Sequence, residues 1–151
     1  MRAVPVRYWL IGLVVPSLAF IAFGMFQLTG WSVWLWIAPI IILGVVPAID
    51  LFVGLDRSNP PDDVIERLEN DKYYRYCTYI FIPFQYASVI FGAYLFTASD
   101  LSWLGYDGGL SWAAKIGTAL TVGVLGGIGI NTAHELGHKK DSVERWLSKI
   151  T

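Results

Sequence analysis

Four long stretches almost free of charge dominate this chain, and they leave it few ways to fold. They run from about Tyr8 to Phe26, Trp31 to Phe52, Tyr76 to Phe96 and Ser111 to Ala133. The second carries one charge, Asp50, in its last turn, and the fourth carries Lys115 near its start. A helix crossing a bilayer needs about 20 mostly apolar residues, and each stretch meets that length. The rest of the composition agrees. Of 151 residues 55% are hydrophobic and only 15% charged, against about 25% charged in soluble domains. The fold expected is therefore all-α and integral to a membrane, with four transmembrane helices. A net charge of −1 with no basic run gives no reason to expect a nucleic-acid partner. The single cysteine, Cys77, rules out an internal disulfide. Arg2 and Arg7 precede the first stretch as they would a signal peptide, but it is long for one and no small-x-small site follows Phe26.

Basic residues set the expected orientation. With the N-terminus in the cytoplasm, Arg2, Arg7, Arg57, Arg67, Lys72, Arg75, Lys139, Lys140, Arg145 and Lys149 fall inside, and only Lys115 of the 11 falls outside. Trp31, Trp34, Trp103 and Trp112 then gather near the outer ends, and Tyr8, Trp9, Tyr73, Tyr74 and Tyr76 near the inner ends, the levels that amphipathic rings prefer. Asn59-Pro60-Pro61 interrupts the inner connection, and Asp62-Asp63 predicts a short helix after it. From Asp141 a further amphipathic helix is expected, with Val143, Trp146, Leu147 and Ile150 on one side. It runs to Thr151 without a breaker, so the chain reads as cut short.

The only two histidines lie together in Asn131-Thr132-Ala133-His134-Glu135-Leu136-Gly137-His138-Lys139-Lys140. Residues i and i+4 share a helix face, so His134 and His138 can reach one metal ion. The bland alternative is a pair of solvated histidines beside lysines at the membrane edge. The string also reads HExxH, a zinc-protease signature in which the glutamate is the general base. Its His-Glu-Leu-Gly-His core resembles the motif of the intramembrane site-2 proteases. Five residues alone leave zinc and iron both open, because imidazole suits either.

Around the motif, Asp50 is a candidate partner to a metal-bound histidine, or a carboxylate facing water. Asn131 shares the histidine face and is a candidate for orienting a ligand. Glu135 points away and could be a second partner, or could pair with Lys139 at i+4. Above His134 lie Ile130, Gly127, Gly126 and Gly123. The Gly123–Gly127 pair forms GxxxG, which permits close helix packing; alternatively the missing side chains leave a path for an alkyl chain.

From about Trp31 onward the chain resembles the alkane 1-monooxygenases. The matching pieces are Pro47 with Asp50, Asn59-Pro60-Pro61, Leu68-Glu69, Tyr73-Tyr74-Arg75, Thr78-Tyr79, Ser102-Trp103-Leu104, the histidine string and Arg145-Trp146. The resemblance implies a six-helix membrane bundle, of which residues 1–151 are the N-terminal part of a single di-iron oxygenase domain, cut before the remaining histidine motifs. It implies hydroxylation of the terminal methyl of medium- or long-chain n-alkanes by O2. The cofactor implied is two non-haem iron ions, with His134 and His138 among their ligands. The electron donor implied is rubredoxin, and the location the bacterial inner membrane, multi-pass, with a cytoplasmic N-terminus. With one histidine motif the fragment alone is expected to be inactive. Fatty-acid desaturases, which also use HxxxH motifs, are the nearest competing class, and the HExxH zinc proteases the next.

Overall fold

The computed structural model describes residues 12–54, 72–139 and 141–151. Tyr8 to Ile11 of the first stretch, Asn59-Pro60-Pro61 and the helix expected after Asp62-Asp63 lie outside these residues. Helix α1 spans Val14–Thr29 and ends at Gly30, whose φ of 74° closes a left-handed cap with its N–H on the Phe26 carbonyl, at 2.7 Å. The second span, α2, covers Ser32–Val53. It is irregular: a 3-10 turn over Ser32–Trp36, a short α segment at Ile37–Pro39, a π segment at Ile40–Val45 and an α segment at Val46–Val53. Pro39 and Pro47 lack an N–H to give to the α ladder, and the π segment lies between them.

Helix α3, Lys72–Thr97, contains Pro83, and α4 runs Trp112–Gly137. Ser111 caps α4, its hydroxyl accepting from the Ala114 N–H at 3.3 Å. Helix α5, Ser142–Leu147, is capped by Asp141, which accepts from the Val143 N–H at 2.8 Å. Three helices, α2, α3 and α4, are long and apolar enough to cross a bilayer, and α1 has 16 described residues. Among the described residues there is no strand, only an isolated bridge between Leu101 and Tyr106.

The core sits in the half of the bundle where α1, the start of α2, the end of α3 and the start of α4 meet. Phe23, Phe26, Leu35, Leu95, Leu101 and Ala114 fill it. Polar side chains turn inward as well. The buried Thr121 hydroxyl donates to the Leu35 carbonyl at 2.8 Å, and that of Ser88 donates to the Pro16 carbonyl. Large apolar side chains face out, among them Leu43 and Ile90, each 68% exposed. Polar-in, apolar-out packing belongs to a helical membrane protein, where interhelical hydrogen bonds join helices that lipid would otherwise solvate equally well.

Two contacts fix the register of α3 against α4. Gly92 lies against Val122; seven residues down α3, Gln85 lies against Gly129, seven residues on along α4. The helices are antiparallel, so His134 is level with Ile80 and His138 with Tyr76.

Candidate metal centre

Helix α4 runs past its apolar stretch into the histidine motif. The apolar stretch ends at about Ala133, and the helix continues to Gly137 as the i, i+4 reading of the histidines expects, so His134 lies in its last turn and His138 is the C-terminal cap residue, at φ −84° and ψ −9°. Leu136, 2% exposed, anchors this turn from the buried side, which leaves both imidazoles on the opposite, exposed face. The rings meet edge to face, their centroids 4.5 Å apart, and their Nε2 atoms converge to 3.1 Å. Two nitrogens bound at right angles to one ion, with bonds of about 2.1 Å, stand about 3.0 Å apart. The donor set therefore fits one edge of a coordination shell. It fits no more than that: among the described residues no third His, Cys, Asp or Glu joins the pair in a metal-holding group.

The other candidate residues are only partly gathered. Asn131 is exposed and shares the α4 surface with His134. Glu135 pairs with Lys139, Oε1 to Nζ at 2.6 Å, the i+4 arrangement expected of a surface helix. Asp50 is exposed on α2, within a run from Leu43 to Gly54 that is exposed at every residue. Asp50 is thus not assembled with the histidines.

The glycines of α4 divide into two sets. A methyl group added at Gly129 would strike the Gln85 side chain, and one at Gly117 would strike the Trp36 indole. These are the glycines that let helices approach. Gly123, Gly126 and Gly127 have nothing within 4 Å of such a methyl, and Ile130 is 67% exposed. Within the described residues GxxxG packs against nothing; the row rising from His134 is open.

One polar cluster escaped the sequence reading. Arg75, in the first turn of α3, donates from Nε to Oε1 of Glu144 at 2.6 Å and from Nη2 to Oε2 at 2.7 Å. The Tyr79 hydroxyl donates to Oε1 at 2.8 Å, and Asp141 lies 3.4 Å from Arg75 Nη2. Glu144 is 1% exposed while Val143 and Trp146 are 58% and 59% exposed. The amphipathic helix expected here therefore packs with Glu144 inward and Leu147 half-buried, while Val143 and Trp146 of its expected apolar side face out. Its advance sign was Arg75 among four tyrosines, Tyr73, Tyr74, Tyr76 and Tyr79, at the head of an apolar stretch.

An all-helical membrane protein with converging imidazoles at the foot of an open helix face is the class these features define. No model of a known protein family matches the chain. It is 35% identical over 143 residues to the alkane 1-monooxygenase of Pseudomonas putida, an alignment covering 95% of this chain and 33% of that protein. It is 34% identical over 142 residues to alkane 1-monooxygenase 1 of Alcanivorax borkumensis, covering 94% of this chain and 33% of the relative. With the Acinetobacter baylyi alkane 1-monooxygenase it shares 37% over 112 residues, which is 74% of this chain and 25% of the relative. Within that class the chain belongs to the alkane 1-monooxygenase family, and it spans about one third of the length of the first relatives named here.

Proposed function

We propose that the complete protein hydroxylates the terminal methyl of medium- or long-chain n-alkanes. One atom of O2 enters the 1-alkanol and the other leaves as water, with two electrons from rubredoxin and two protons. This chain would be the N-terminal part of the enzyme in a bacterial inner membrane, its N-terminus cytoplasmic as the ten-to-one distribution of basic residues favours. The carrying observation is the 3.1 Å convergence of His134 and His138 in a chain one-third identical to enzymes of that name.

His134 and His138 would serve as two ligands of a two-iron centre. Bound there, iron would supply the redox chemistry that an unactivated methyl group requires and that zinc lacks. Leu136 holds the two imidazoles in place from behind. Gly123, Gly126, Gly127 and Ile130 leave a strip along which an alkyl chain can lie, each helical turn of about 5.4 Å matching roughly four carbons. Asn131, on the same surface, is placed to hold a ligand's orientation. A role for Asp50 needs the inner half of α2 to close on the histidines in the complete protein. Two imidazoles cannot hold two irons, so this chain alone would be inactive. Glu135, paired with Lys139, is not poised as the general base of a zinc protease, and no observation favours a desaturase.

The test is His134→Ala and His138→Ala in the full-length enzyme. Each should remove most of the bound iron and abolish octane hydroxylation while membrane insertion stays normal. Stoichiometric iron and full activity in either variant would overturn the ligand assignment.

A further inference from the structure

The contacts of α5 climb α3. Asp141 and Glu144 meet Arg75, and Glu144 also meets Tyr79. Further on, the Tyr86 hydroxyl donates to the Ile150 carbonyl, and Thr151 lines a cavity of about 120 Å³ with Ile82, Gln85, Tyr86 and Val89. The α3 residues touched advance from 75 through 79 and 82 to 86 and 89, one face of a helix taken turn by turn. At about 1.5 Å per residue, the step from Arg75 to Tyr86 is roughly 16 Å up a segment apolar enough to cross a bilayer. In the α3–α4 register, Thr151 has passed the level of His134, which is that of Ile80.

The surface of this climbing segment is inside out. Its carboxylate Glu144 is buried, and Val143, Trp146 and Ile150 are exposed at 58%, 59% and 36%. Water would select the reverse, since burying a charge is costly and burying a tryptophan favourable. A bilayer selects what is seen, because an outward apolar side chain at that depth meets acyl chains. Arg145 and Lys149 are exposed on a third side of the turn, and their long stems let the charged ends reach back to the interface.

We infer that residues 142–151 re-enter the bilayer alongside α3, with Val143, Trp146 and Ile150 against lipid acyl chains. The C-terminal end of α4 and the start of α5 at Asp141 are then the innermost described points of this part of the chain. This places Arg145 and Lys149 at the membrane rim, where the distribution of basic residues alone assigned them to the cytoplasm. The inference rests on the membrane reading of α3 itself.

The test uses the full-length protein in phospholipid vesicles, with Cys77, a free cysteine, changed to serine. Nitroxide labels are attached at V143C, W146C and I150C, at I90C on the exposed middle of α3, and at R145C. Collision rates with oxygen, which concentrates in lipid, and with a water-soluble nickel chelate are then compared. The oxygen-to-nickel ratio should rise from residue 143 to residue 150 and approach that of residue 90, while residue 145 stays nickel-accessible. If residue 90 reads as lipid but 146 and 150 read as water, or collide with neither reagent because protein covers them, the inference fails alone. If residue 90 also reads as water, the membrane reading fails with it.

Discussion

Arg75 and Glu144, 69 positions apart in sequence, form a two-pronged ion pair, Nε to Oε1 at 2.6 Å and Nη2 to Oε2 at 2.7 Å. It joins the start of α3 to the segment directly after the histidines. Removing one member leaves the other without its counter-charge, which costs more than removing both. Glu144→Gln and Arg75→Ala should therefore each lower the midpoint of SDS-induced unfolding, and the double change Arg75→Met with Glu144→Leu should recover part of the loss. Arg75→Lys should rescue poorly, because a point charge cannot replace the planar fork. Equal midpoints across the set would show that the pair does not hold α5.

The two sets of glycines on α4 make opposite demands. Gly129→Ala and Gly117→Ala overpack a contact and should destabilise by about 1–3 kcal/mol. Gly123→Ala and Gly127→Ala meet open space and should be neutral in this chain, or slightly stabilising through helix propensity. In the full-length enzyme, Gly127→Leu should shorten the longest alkane hydroxylated while sparing the shortest. Rates across an alkane series, with iron content measured alongside, check this. A uniform loss at every chain length would mean that later helices pack on this row instead.

The loop between α3 and α4 should tolerate acid. The Asp100 carboxylate accepts from the Ser102 hydroxyl at 2.7 Å and from the Gly108 N–H at 3.1 Å. The Ser102 hydroxyl foremost, then the Gly108 N–H, holds this carboxyl below the usual aspartate range. Because the folded value is depressed, the contribution is present above the unfolded pKa of about 3.9 and is lost only as pH falls through the lower folded value. Fluorescence of Trp103, whose indole N–H donates to the Tyr94 hydroxyl, should stay constant down to about pH 4 and change below it. In Asp100→Asn that acid step should vanish; an unchanged step would assign it to another group.

The helices and the histidine pair were legible from sequence because each depends on local spacing. Charge-free length gives the spans, and i, i+4 spacing brings His134 to His138. What escaped depends on partners distant in sequence. Glu144 is buried because Arg75 and Tyr79 await it across the bundle, and an amphipathic pattern cannot say whether water or lipid lies outside. The glycines of α4 looked alike in sequence; only Gln85 and Trp36, on other helices, separate the packed ones from the open ones. The irregular winding of α2 was hidden as well, since hydropathy is blind to which carbonyl an N–H selects.

That winding has an evolutionary corollary. A π segment such as Ile40–Val45 accommodates a surplus residue relative to α geometry. A homologue lacking one residue in this stretch could wind as plain α-helix and keep both ends of α2 at the same depth. The Asp50 end would keep its facing relative to the Trp36 end, whereas a surplus residue carried in an unbroken α-helix would turn it by about 100°. The π segment therefore buffers the facing of Asp50 against a one-residue change in the length of this stretch.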